Sequence, residues 1–110
     1  MDDLKVGDCI VSFSKKQIYQ LREEVNLFMN TNEHGELISE HNHCAIIYGS
    51  LPPETKIIQQ TAFNERSGNI KFLIATDAIG MGMNLNINRV IFATLWKHSR
   101  LRKRHQIEPS

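Results

Sequence analysis

The sequence predicts an α/β fold, a parallel sheet with helices packed on its faces. Two observations carry that prediction. Four short runs are continuously apolar and rich in β-branched or aromatic residues, the pattern of strands covered on both sides. Stretches of helical periodicity separate them, and strand–helix alternation implies a parallel sheet with right-handed crossovers.

The first strand is "CIVSF", residues 9–13. The helix after it, "SKKQIYQLREEVNLFM", places Ile18, Leu21, Val25 and Phe28 on one stripe, which is the face expected to be buried. Ser14 with Gln17 three residues on forms a capping-box arrangement at its start. Residues 30–43, "NTNEHGELISEHNH", read as a polar surface loop inserted before the second strand, "CAIIY" (44–48). In the second helix, "PETKIIQQTAFNE", Ile57, Ile58 and Ala62 are the predicted buried face, and "SGN" at 67–69 ends it. "KFLIA" (71–75) and "RVIFA" (89–93) complete the strands.

The 110 residues suffice for one small domain or a piece of a larger one, and 41% hydrophobic against 23% charged allows a packed core. No apolar run approaches a membrane span, so no membrane partner is expected. The polar start "MDDLKVGD" is neither a secretory signal nor a transit peptide, and an organelle address would lie outside these residues. The net charge of +1 hides an asymmetry: residues 97–110 hold 5 Lys and Arg against 1 Glu. That basic end, within a tail or loop read over 94–110, either attracts a polyanion or is simply solvated. Cys9 and Cys44 each open an apolar run and read as small core residues of a reducing compartment. His34, His41, His43 and Cys44 fit no zinc spacing, and no metal site is read there.

In a parallel sheet the residues just after each strand share one edge, where ligands of open α/β folds bind. Here those residues are Ser14 and Lys15, Gly49 and Ser50, and Thr76 and Asp77. Hydroxyls, backbone amides and helix starts gathered on one edge suit a phosphate chain or nucleotide. Each has a plainer alternative: Ser14 as a cap alone, Lys15 as a solvated residue, "GSLPPE" as a tight helix entry, Gly80 and Gly82 as packing devices. No G-x-x-x-x-G-K-[ST] occurs, so the chain has no triphosphate-cradling loop of its own. No G-x-G-x-x-G follows a strand, and no nucleophile–base set can be argued from spacing.

Three blocks, "CIVSFSKKQIY", "AIIYGSLPPETK" and "FLIATDAIGMGMNL", resemble successive motifs of the second RecA-like domain of superfamily 2 helicases, within roughly residues 6–93. The pairing of "YGSLPP" with "ATDAIGMGMNL" is most similar to mitochondrial degradosome RNA helicases of the suppressor-of-Var type. The resemblance implies an incomplete RecA-like lobe, a partial helicase C-terminal domain spanning 1–110. It implies that Ser14, Lys15, Tyr48, Gly49, Ser50 and Thr76 face RNA, and that Asp77, Gly80, Gly82 and Asn84 lie toward the nucleotide. It further implies an intact parent that is a nucleoside-triphosphate hydrolase using ATP and Mg2+, with neither bound by this chain alone. RNA or DNA, a first RecA-like lobe and an exoribonuclease are the partners implied, and the mitochondrion is the location. The family's first lobe and its Q-x-x-G-R-x-G-R block, which brings an arginine to the γ-phosphate, are not among these residues. From the residues alone, a non-enzymatic α/β module binding a phosphate or a protein is the alternative.

Overall fold

A computed structural model describes residues 4–76 and 83–96. Strands β1 (Asp8–Ser12), β2 (Cys44–Ile47), β3 (Phe72–Thr76) and β4 (Arg89–Phe92) form one sheet in the order β2-β3-β1-β4. Every pair is parallel, with Ser12 beside Thr76, Ile47 beside Ala75, and Val11 beside Phe92. The predicted strands are all present, with no bound moved by more than one residue.

Helix α1 (Lys15–Asn30) connects β1 to β2, and α2 (Pro53–Asn64) connects β2 to β3. The first connection steps one way across the sheet and the second steps back. Right-handed crossovers in opposite directions place their helices on opposite faces. The two apolar clusters obey this. Ile18, Leu21 and Val25 of α1 pack with Ile10, Ile46, Phe72, Ile74 and Ile91 on one face. Phe63 of α2 packs with Cys9, Ala45, Ile47, Leu73 and Ala75 on the other. The β3-to-β4 connection steps in the same direction as the α2 crossover, and its Met83, Leu85 and Ile87 lie against the α2-side cluster as the same rule requires.

Two expectations about the helices are corrected. Phe28 does not join the buried stripe of α1, being 39% exposed; Met29 packs against the core instead, and Asn30 is buried. At 100° per residue Phe28 and Met29 flank the line of Ile18, Leu21 and Val25 on opposite sides, and the core takes the Met29 side. In α2 the predicted face points outward. Ile57 and Ile58 are 62% and 63% exposed, Ala62 is half-buried, and Phe63 is fully buried in their place.

The stretch expected as a surface loop is tied down at its ends. Thr31 and Leu37 form an antiparallel bridge, and Asn32 Oδ1 accepts from the amides of His34 and Glu36. Asn30 Nδ2 donates to the His41 carbonyl at 2.9 Å, and Ser39 Oγ to Asn30 Oδ1 at 2.6 Å. His43, buried, places Nε2 2.7 Å from that same oxygen. Cys9 and Cys44 are free and buried, and burial pushes both thiols up to about 12, so neither is a nucleophile at neutral pH. Trp96, inside the stretch expected as a tail, packs in the α1-side core; residues 97–110 lie outside the described residues.

At the opposite end of the sheet from the predicted ligand edge, Asp8 is buried and receives Arg89 Nη2 at 2.7 Å and Nε at 3.1 Å. This two-bond pair fastens β4 to β1 at their first paired position. Gly7, just before β1, has φ +94°, and a Cβ there would run into the Asn88 side chain and come within 2.8 Å of Arg66 Nη2. Only glycine suits that conformation in that space.

Candidate nucleic-acid interface

The strand order decides which residues meet. Because β3 lies between β2 and β1, Thr76 leaves the sheet in the middle, beside Ser12 on one side and next to the end of β2 on the other. Ser14 and Lys15 follow β1, and Tyr48, Gly49 and Ser50 follow β2. The six residues expected to face RNA therefore come together on three neighbouring strand ends. Ser14, Lys15, Gly49 and Ser50 are exposed, Thr76 is half-buried, and Tyr48 is buried. Asp77, Gly80 and Gly82 lie outside the described residues.

Local chemistry fixes the start of α1. Ser14 Oγ accepts from the Gln17 amide at 3.2 Å, the N-cap bond expected of it. Gln17 Oε1 reaches back to accept from the Phe13 amide at 3.0 Å, one residue earlier than the usual capping-box partner. Ser12 Oγ accepts from the Ser14 amide at 3.3 Å and lies 2.9 Å from Gln17 Oε1. The capping role of Ser14 is thus present, and it leaves the hydroxyl proton for a ligand among the described residues.

At the end of β2 the turn is closed by Leu51 N donating to the Tyr48 carbonyl at 3.2 Å. Pro53 opens α2 with Glu54 in its first turn, an arrangement that suits the positive end of a helix dipole. Lys56 Nζ reaches back to the Gly49 carbonyl at 2.9 Å, which brings a second cation to the edge.

Tyr48 joins the two sides of the site. Lys15 Nζ stands 5.0 Å from its ring centroid, and its hydroxyl lies 2.8 Å from that of Tyr19. The two rings meet edge to face, 6.1 Å apart. Arg22 then stands over the Tyr19 ring at 5.2 Å. The shared hydrogen bond with Tyr48 above all raises the Tyr19 hydroxyl from its ordinary range, so the Tyr19 phenol stays neutral. Tyr19, Arg22 and Lys56 were not picked out from the sequence. The spacing of Lys15, Tyr19 and Arg22, at i, i+4 and i+7, is the signal that could have found the first two.

Asn84 is placed elsewhere. Its carbonyl accepts from Asn64 Nδ2 at 2.7 Å, and Asn64 Oδ1 accepts from the Asn86 amide at 2.8 Å. Arg66 donates to the Asn86 carbonyl at 3.0 Å. Those partners sit at the far end of α2, about 18 Å of helix away from the strand-end edge.

Comparison with known proteins agrees with this architecture. Residues 6–108 match the family model described as the helicase conserved C-terminal domain. Over 99 residues, 90% of this chain, the sequence is 48% identical to the zebrafish (Danio rerio) protein named ATP-dependent RNA helicase SUPV3L1, mitochondrial. Over 95 residues, 86% of this chain, it is 46% identical to the rice (Oryza sativa subsp. japonica) ATP-dependent RNA helicase SUV3, mitochondrial. The human (Homo sapiens) SUPV3L1 protein is 44% identical over 99 residues. The matched segment makes up 11–14% of the length of these relatives. With this family match and the parallel sheet with its opposed helices, the chain belongs to the helicase conserved C-terminal domain family.

Proposed function

We propose that this chain works as part of the second motor lobe of an ATP-dependent RNA helicase of mitochondria, and that its strand-end edge grips RNA by the phosphates. The observation that carries the reading is the gathering of Lys15, Ser14, Thr76, Gly49 and Ser50 on three adjacent strand ends, with Thr76 in the centre. Hydroxyls, amides and lysines bind phosphate and sugar without reading bases, so the grip is independent of sequence. The names of the relatives, all mitochondrial ATP-dependent RNA helicases, supply the substrate class and the compartment.

The same edge fits phosphate rather than a metal ion. Its described strand-end side chains are hydroxyls, a phenol and lysines, and the one carboxylate beside them, Glu54 in the first turn of α2, is a single ligand and not a metal cluster. ATP with its Mg2+ would therefore be held chiefly by another lobe, and this chain would meet it through Asp77, Gly80 and Gly82. Asn84 would act on the nucleotide only through the backbone it anchors at α2. The partners proposed are RNA, a first RecA-like lobe and an exoribonuclease, and coupling would come by closure of the two lobes.

The test is a helicase containing this lobe, with RNA-stimulated ATPase activity as the readout. Thr76→Ala should raise the RNA concentration needed for half-maximal stimulation several-fold, with basal ATPase and melting temperature unchanged. Stimulation equal to that of the unsubstituted protein would remove Thr76 from the RNA track.

A further inference from the structure

We propose that the RNA track does not stop at the strand ends but continues down the outer face of α1, along a ladder of two cations and two tyrosines. The proposal rests on the edge being an RNA-binding surface and adds its direction and extent. Lys15, Tyr19 and Arg22 lie on one stripe of the helix, and Tyr48 is inserted beside it from the end of β2. Seven residues separate Lys15 from Arg22, which places their Cα atoms about 10 Å apart along the axis.

The way these cations are held is what points to a polyanion. Surface lysines and arginines are commonly accompanied by carboxylates, yet among the described residues neither Lys15 nor Arg22 forms an ion pair. Each is held over an aromatic ring instead, at 5.0 and 5.2 Å. A ring orients the cation by its electron-rich face and leaves the N–H donors uncommitted. The rings are themselves fixed by their edge-to-face contact and shared hydrogen bond. The ordering cost of two long side chains is thus met before a ligand arrives.

The ladder also has a definite end. Glu23 and Glu24 follow Arg22, and beyond them the groove between α1 and the 31–43 loop carries the carboxylates Glu23 and Glu40 beside the apolar Leu27 and Leu37, with amides, a serine and His41 completing its lining. The two carboxylates repel phosphate there. Lys15 is therefore the entrance at the strand ends, and Arg22 the last contact.

The test uses the 110-residue chain and a labelled single-stranded oligouridylate, with binding followed by fluorescence anisotropy from 50 to 200 mM KCl. A phosphate contact on a single strand contributes about 0.7 to the slope of log affinity against log salt. Arg22→Gln should weaken binding about three- to ten-fold at 50 mM KCl and reduce the slope by about 0.7. Tyr19→Ala, which removes the platform and leaves the charge, should weaken binding while changing the slope less. Circular dichroism checks that α1 is intact in both. Wild-type affinity and slope for Arg22→Gln, alongside weakened binding for Thr76→Ala, would overturn the ladder and leave the edge standing. Absence of salt-dependent binding by the unsubstituted chain would overturn both.

Discussion

His43 stands where α1, the 31–43 loop and β2 meet, and its ring is kept neutral there. Asn30 Oδ1 lies 2.7 Å from Nε2, so that nitrogen carries the proton, and Nδ1 is buried without a hydrogen-bond partner among the described residues. Burial above all lowers the pKa from its ordinary 6.5; the backbone of Asn69 opposes this in part, and the nearby charge of Lys71 adds to it. The folded state therefore resists a proton that the unfolded chain accepts. Stability from this group is full above the unfolded value and is lost as the pH falls toward the lowered folded one. The melting temperature should drop between pH 7 and pH 5, and His43→Gln should flatten that drop. At pH 8 the same variant should cost about 1–2 kcal/mol, since Asn30 Oδ1 loses one of its two donors and keeps only Ser39 Oγ. An equal pH dependence in both proteins would show that other groups govern acid stability. Of this junction the sequence pattern offered little. His43 was read as part of a polar loop, because its burial depends on a chain reversal that brings Asn30, thirteen residues away, against it.

The two helices show what periodicity does and does not decide. In α1 the apolar residues fall on a single stripe, and Ile18, Leu21 and Val25 are buried as expected. In α2, Phe63 lies almost opposite the mean direction of Ile57, Ile58 and Ala62 at 100° per residue. The helix thus offers two apolar faces, and spacing alone does not rank them; the large ring takes the core. Phe63→Ala should cost about 3–5 kcal/mol in urea unfolding, while Ile57→Lys and Ile58→Lys should each stay within about 0.5 kcal/mol. A large loss from either lysine would restore the isoleucines to the core. The site divides the same way. Ser14, Lys15, Gly49, Ser50 and Thr76 were legible because strand–helix alternation alone dictates where strands end. The part played by Tyr19 and Arg22 was not, because it needs Tyr48, twenty-nine residues from Tyr19, to arrive beside α1.

At the scale of the whole molecule, β4 is an edge strand that presents exposed apolar side chains among the described residues. Val90 and Phe92 of β4 are 52% and 51% exposed, and Leu95 beyond them is 51% exposed. An apolar edge strand is a template for pairing with another chain. The isolated chain should associate as its concentration rises, by light scattering, and Phe92→Lys should suppress the association without lowering the melting temperature. Concentration-independent scattering from the unsubstituted chain would contradict this.

The strand order also sets a sequence in time. β1 and β2 share no hydrogen bonds, for β3 fills the place between them. In the finished sheet the two earlier strands stand two strand spacings apart, about 10 Å, and until residue 72 is available nothing fills the place between them. A chain growing from its N-terminus accumulates two helices and two unpaired strands before any ladder can close. The third strand is the keystone, and Thr76 is the last residue of that strand. The residue at the centre of the proposed RNA edge thus takes its place at the same moment as the sheet itself.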